Sequence, residues 1–356
     1  MRINFFGASQ TVTGSQFLLE INGSRLLLDC GLFQGRRLDT YSLNGSFKHN
    51  PRKVDAMILS HAHIDHSGNI PNLIKHGYNG SIYTTPATAD LADVMLHDSA
   101  HIQMADIEFV NKRRARKGDV PLEPLYTLED AAEVKQHFAP QKYNEPFSPV
   151  PGVTATLVEA GHILGSAAVV LDIEEKGRKY RFWFSGDIGR FGLPLLKDPV
   201  LPEKVDYLMM ECTYGNKPHD DPQAAFTEFR DVILRTVDRG GKVIIPAFAV
   251  GRTQELVLEL NEMTQRKELP PIPVYVDSPL AVNATEVFKK HPECFDEETW
   301  QFVKEARHPA LDYDQLTYTH SVDESKALND RKGPMIIISA SGMAENGRIL
   351  HHLRNN

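Results

Sequence analysis

The sequence predicts an α/β protein of two domains. Three observations carry that reading. The chain has 356 residues, long enough for two domains. Its first part is rich in strand-like runs. From Pro222 onward, strand and helix patterns alternate, which implies a parallel sheet covered by helices.

Taken in order, Met1–Gly7 reads as a first strand rather than a signal peptide, because its apolar stretch is too short. Phe17–Ile21 and Arg25–Asp29 flank Asn22-Gly23, the expected two-residue turn of a hairpin. Val54–Leu59 reads as a buried strand, and a helix is expected from Gly68 onward. Further strands are predicted at Ile82–Thr84, Val153–Glu159, Ala167–Ile173 and Tyr180–Phe184. In the second part, helices are predicted at Ala224–Asp238, Thr253–Thr264 and Pro279–Lys290. Strands are predicted at Val243–Ile245, Val274–Val276 and Met335–Ile338. The boundary falls near residues 205–220, giving domains 1–207 and 208–356.

Composition narrows the class. Hydrophobic residues at 41% and charged residues at 24% suit an ordinary globular chain. No apolar run approaches the roughly 18 residues of a membrane span. Three cysteines, Cys30, Cys212 and Cys294, point to free thiols and a cytoplasmic location. A formal charge of −8 does not announce a nucleic-acid binder, although a local basic stripe can still hold phosphates.

The chemistry concentrates in Ser60–Asn69, "SHAHIDHSGN", between the strand and the helix. Alternate residues of an extended loop point the same way, so His61 and His63 can converge on one ion. Asp65 and His66 then turn toward a second position. Imidazole and carboxylate ligands suit zinc, and also manganese or iron. His162 and Asp187 each follow a strand and are flanked by glycines. Asp29 ends another strand and is placed either to orient a ligand from behind or to cap a turn.

The ordered series Asp29, His61-x-His63-x-Asp65-His66, His162, Asp187 resembles the metallo-β-lactamase superfamily. "ECTYGNKPH" (with Glu211), "IPAFAVGRTQEL", "VYVDSPLA" and "IISASGMAENGRILHHL" are similar to its β-CASP nucleases, relatives of the cleavage-and-polyadenylation endonuclease. The resemblance implies an αββα sandwich with an inserted β-CASP domain. It implies one zinc held by His61, His63 and His162, a second held by Asp65 and His66, and Asp187 bridging them. Water activated by the metals would hydrolyse single-stranded RNA, endonucleolytically or from the 5′ end. Glu211 would belong to the periphery of the site, orienting a proton-donating histidine. The family places two further histidines after the "SASGM" stretch, and this chain reaches "HHLRNN" before either context occurs. The C-terminal part of the fold is thus expected to be missing, with one zinc site a ligand short. No membrane contact is expected, and a homodimer is compatible with the resemblance.

Lesser features admit two readings. Asn111–Gly118, "NKRRARKG", is either a solvated helix end or a phosphate-contacting patch. His97 and His101, four apart on a helix, could pair on a metal but read better as surface or core-edge residues. Ser339, Ser341 and Gly342 lie between a strand and a helix, where backbone N–H groups can hold a phosphate. Arg252 opens a helix and could meet a phosphate or a carboxylate. Two other functions compete: hydrolysis of a small ester or phosphodiester, and RNA binding with weakened catalysis. The β-CASP-like segments argue against the first, and the complete His61–His66 motif against the second.

Overall fold

A computed structural model describes residues 1–35, 37–219, 221–305 and 310–356. It packs as two compact units, Met1–Gly189 with Pro199–Thr213, and Arg190–Asp198 with Tyr214–Asn356.

The first unit begins with strands β1 (Arg2–Phe5), β2 (Phe17–Ile21) and β3 (Ser24–Leu28). Ile21 pairs with Ser24, so Asn22 and Gly23 alone form the turn, both at positive φ (50° and 84°). That is the twist-matched geometry the Asn-Gly pair selects. Helix α1 (Arg37–Asn44), strand β4 (Ala56–Ile58), helices α2 (Ile64–Ser67) and α3 (Ile70–Lys75), and strand β5 (Ser81–Thr84) follow. Then come α4 (Pro86–Ala115), α5 (Leu128–Glu133) and β6 (Phe138–Pro140). Strands β1 to β6 form one sheet in chain order. A second sheet, ordered β10-β9-β8-β7, joins β7 (Val153–Glu159), β8 (Ala167–Glu175), β9 (Arg178–Phe184) and β10 (Tyr207–Met209). Leu19, Leu26 and Ile58 of the first sheet share one buried cluster with Leu157, Val169 and Phe182 of the second. The two sheets therefore pack face to face. With helices on the first sheet, this is the sandwich expected from the sequence.

The second unit contains α6 (Pro222–Asp238), β11 (Lys242–Pro246), α7 (Arg252–Gln265), β12 (Val274–Asp277) and α8 (Pro279–Lys290). It continues with α9 (Glu297–Glu305), β13 (Leu316–Tyr318), α10 (Val322–Asp330), β14 (Met335–Ser339) and α11 (Ile349–Asn355). Its strands are all parallel, ordered β11-β14-β12-β13. Strand β14 is buried at every residue, as expected for a central parallel strand reading Met-Ile-Ile-Ile-Ser.

The helix expected from Gly68 onward is α3, and the structure adds a short one before it, α2, which starts inside the His61–His66 motif. Asn69 separates the two: its N–H donates to the Cys30 carbonyl at 2.9 Å instead of continuing the α2 ladder.

Candidate metal centre

Strand β4 lies between β3 and β5 and delivers the His61 loop to their carboxyl ends. His63 caps the start of α2, accepting from the His66 and Ser67 N–H groups at 2.9 and 2.8 Å. Asp65 therefore sits in the first turn of that helix. The loop after β3 grips α2 closely: the Cys30 N–H donates to the His66 carbonyl at 2.7 Å, and Leu32 N–H to that of Ile64 at 2.9 Å. A Cβ on Gly31 would lie 1.6 Å from the Asp65 carbonyl oxygen, so only glycine fits there. His162 follows β7, its N–H bonded to Ser166 Oγ at 3.0 Å. Asp187 follows β9. A Cβ on Gly189 would lie 1.7 Å from the Gly161 oxygen, so the loops carrying His162 and Asp187 also meet through glycine.

Four side chains converge. Ligand atoms of His61, His63, His162 and Asp187 all lie within 4.8 Å of one another. His162 Nε2 is 3.0 Å from His63 Nδ1 and 3.5 Å from Asp187 Oδ2, and His61 Nε2 is 3.7 Å from the same oxygen. Ligand atoms around a tetrahedral zinc, at metal–nitrogen distances of ~2.0–2.1 Å, stand ~3.3 Å apart, so this spacing suits such an ion.

The buried face of the site gives a sharper test. Asp29 is fully buried, at φ 57°, and accepts from Ser60 N at 2.7 Å, Ser60 Oγ at 2.8 Å and His66 Nδ1 at 2.8 Å. Because the single Ser60 proton goes to Asp29, the 3.0 Å contact between Ser60 Oγ and His61 Nδ1 must be donated by the imidazole. The lone pair of His61 is then on Nε2, which is buried and has no hydrogen-bond partner. A buried, unpartnered acceptor is costly. Aimed at three other donor groups, it fits a divalent cation. Burial also lowers the pKa of His61, His63 (to about 3) and His162, keeping the imidazoles neutral as ligation requires.

His66 and Asp65 stand beside this cluster. His66 Nε2 is 3.2 Å from Asp187 Oδ1, 4.0 Å from Asp65 Oδ2 and 3.3 Å from Ser15 Oγ. Burial alone would lower the His66 pKa, but its hydrogen bonds to Asp187 and Asp29 outweigh it and raise the pKa well above the ordinary value. Burial raises the Asp65 pKa. Asp187 is also buried, which acts upward, but the His66 hydrogen bond and the surrounding imidazoles bring it down to about 2. Glu211 lies just past β10. Its N–H donates to Ser185 Oγ at 3.1 Å and its Oε2 accepts from Thr213 N–H at 2.8 Å. Its charge acts on His162, so it borders the cluster.

The sequence-predicted phosphate contacts belong to the second unit. Arg252 opens α7 and pairs with Glu255 at 2.8 Å, so the carboxylate alternative is realised in the structure. It lines a cavity of about 1260 Å³ together with Glu255, Glu259 and Trp300. Ser339 Oγ donates to the Asp277 carbonyl at 2.8 Å. The Ser341 N–H donates to the Asn346 carbonyl at 3.4 Å. Gly342 packs its backbone against Phe248. As the sequence expects, these residues lie between a strand and a helix: β14 ends at Ser339, and α11 starts at Ile349 after an intervening loop. His97 and His101 belong to no metal-type cluster among the described residues.

Sequence reasoning missed Ser60, Ser15 and a buried network around Asp277. That carboxylate accepts from Ser325 Oγ at 2.6 Å, Arg348 Nη1 at 2.7 Å and His352 Nε2 at 2.6 Å, and also from Thr319 Oγ1. His352 is therefore a packing residue, buried in the second unit. The only sequence signal for Ser60 is its place between a buried strand and a ligand-type histidine.

Comparison with known proteins fits this geometry. Residues 11–247 match the family model of the metallo-beta-lactamase superfamily, and residues 253–356 match the Beta-Casp domain. The chain belongs to the metallo-β-lactamase superfamily, in its β-CASP group. It is 37% identical over 355 residues to Ribonuclease TTHA0252 of Thermus thermophilus, covering 100% of this chain and 76% of that protein. It is 31% identical to the RNase J-like protein of Methanocaldococcus jannaschii, covering 99% of this chain and 74% of that one. It is also 31% identical to the Transcription termination factor FttA of the same organism, of which it spans 54%. Membership makes the chain a metal-dependent hydrolase. No described helix is long and apolar enough to cross a membrane.

Proposed function

We propose that this β-CASP protein hydrolyses RNA phosphodiester bonds with zinc as its metal, as an endonuclease, a 5′-exonuclease or both. The observation that carries the reading is the converging set His61, His63, His162 and Asp187, with the lone pair of His61 Nε2 buried and free. The ribonuclease names of two relatives supply the substrate class. His61, His63 and His162 would hold one cation. Asp187, low in pKa and facing both His162 and His66, would sit between that position and a second one beside Asp65 and His66. When bound, a divalent cation supplies Lewis acidity and lowers the pKa of water toward neutrality.

The chain's own groups then do the positioning. Asp29 and Ser60 fix the tautomer and tilt of His61, and Asp29 does the same for His66. Asp65, held at the first turn of α2, orients the attacking water and takes up its proton. Glu211 fixes the turn at Thr213 beside His162. Arg252, 58% exposed despite its pairing with Glu255, is the side chain of the second unit that we assign to an RNA phosphate. Cys30, Cys212 and Cys294 form no disulfide, which suits the cytoplasm, where the RNA would be met.

The test is incubation of the full chain with 5′- and 3′-labelled single-stranded RNA, with zinc and with chelator. Zinc-dependent cleavage is expected, and the two labels separate internal from terminal cutting. Binding without cleavage would favour an RNA-binding role. Hydrolysis confined to a small phosphodiester or ester would favour a small-molecule hydrolase.

A further inference from the structure

Helix α4 uses only half its length for packing. Its buried residues run from Ala87 to Ala100, and residues 101–115 bury none. At 1.5 Å per residue that distal half is ~22 Å of helix. Its surface carries Ile102, 59% exposed, and Phe109, 48% exposed. It ends in Lys112-Arg113-Arg114-Ala115-Arg116-Lys117, the strongest basic run in a chain of charge −8.

The tip is a built structure. Asn111 Nδ2 donates to the Leu122 carbonyl at 2.9 Å, and its Oδ1 accepts from the Leu122 N–H at 2.8 Å. Arg114 Nε donates to the Val120 carbonyl at 2.7 Å. These bonds lace the returning chain to the helix and engage Arg114. Glu108 takes Lys112 at 2.7 Å in a pair about two-thirds exposed, which is weak. The described residues pair no carboxylate with Arg113, Arg116 or Lys117. The Arg113 guanidinium lies over the Phe109 ring, 4.5 Å from its centre.

We infer that this arm is a second binding surface for single-stranded RNA. Lys112, Arg113, Arg116 and Lys117 contact phosphates, and the Phe109–Arg113 pair stacks on a base. Unneutralised cations select a polyanion. An aromatic ring with a guanidinium beside it is a sequence-tolerant stacking platform. An acidic protein would meet the same cations but would give Phe109 no base to stack on.

The origin of the helix sets the scale. Thr85 and Thr88 hydroxyls both donate to the Gly165 carbonyl at 2.7 Å, in the loop that carries His162. The helix thus starts at the metal centre, and Arg113 is ~38 Å along its axis from Thr88. A stacked strand covers that distance in ~11 nucleotides at 3.4 Å each. Only an RNA longer than about a dozen nucleotides reaches both places.

The inference rests on the ribonuclease reading, and the experiment separates the two. The full chain and its K112Q/R113Q/R116Q/K117Q variant, matched in thermal stability, are given unstructured RNAs of ~6 and ~24 nucleotides, with affinity and kcat/KM measured across salt. The expected result is at least ~10-fold weaker affinity of the variant for the long RNA. Its log–log salt slope should be shallower by ~2–3, at ~0.7 for each phosphate that the variant leaves unneutralised. Cleavage of the short RNA should be unchanged. Equal affinity and slope for the long RNA would overturn the inference and turn attention to an acidic protein partner. An equal loss on both RNAs would overturn it too, because the effect would then lie at the metal centre. If the parent chain cuts neither RNA, the ribonuclease reading fails, while affinity for the long RNA still decides the arm.

Discussion

Ser60 joins Asp29 to His61, and its hydroxyl decides which imidazole nitrogen is free to ligate. Partners standing behind ligand histidines typically change metal affinity by 10–100-fold when removed. We expect Asp29→Asn to weaken zinc binding by about that factor, because both His61, through Ser60, and His66 lose their anchor. Competition titration with a chromophoric chelator measures it, and an unchanged affinity would remove Asp29 from the centre. Asp65 is assigned to the water rather than to the strand of RNA. Asp65→Ala should therefore lower kcat by ~100-fold or more while RNA affinity stays within a few-fold. Single-turnover cleavage beside a binding isotherm separates the two, and near-normal cleavage would refute the assignment.

Helix α7 places Glu255, Glu259 and Glu262 along one partly buried face. Burial, then the neighbouring charge of Glu255, raises the Glu259 pKa from the usual 4.5 to about 7. The folded state thus binds this proton more tightly than the unfolded state. The linked stability is present in full below about pH 4.5 and is lost as pH rises through about 7. A shift of that size corresponds to roughly 3 kcal/mol. We expect Glu259→Gln to leave stability at pH 5 nearly unchanged and to raise it at pH 8. Urea melts at the two pH values test this, and a variant no more stable at pH 8 would contradict the burial argument.

For the whole molecule, a metal that binds only the folded chain stabilises it by mass action, ~2.7 kcal/mol at 100-fold excess over Kd. For a unit of this size that is a rise in Tm of roughly 5–10 °C. Zinc added to metal-stripped protein should produce such a rise, and His61→Ala should abolish it. Calorimetry with and without zinc reads both, and a shift that survives His61→Ala would place the metal elsewhere.

The sequence by itself determined whatever depends on neighbours along the chain. Strands β7 and β11 follow from local apolar runs, the β2–β3 turn from Asn22-Gly23, and the alternation of the second unit from its periodicity. The His61–His66 motif was legible for the same reason: four ligand-type side chains within six residues leave little freedom in what they can face. Tertiary structure alone decided which distant groups complete the site. Ser15 reaches His66 across 51 residues of chain, and Asp29 reaches it across 37. It also decided that Asp277 gathers Ser325, Arg348 and His352, and that α4 outruns its packing surface. Chain-local patterns fix φ, ψ and the buried face of an element. The pairing of a polar group depends on which other groups packing brings within about 3 Å.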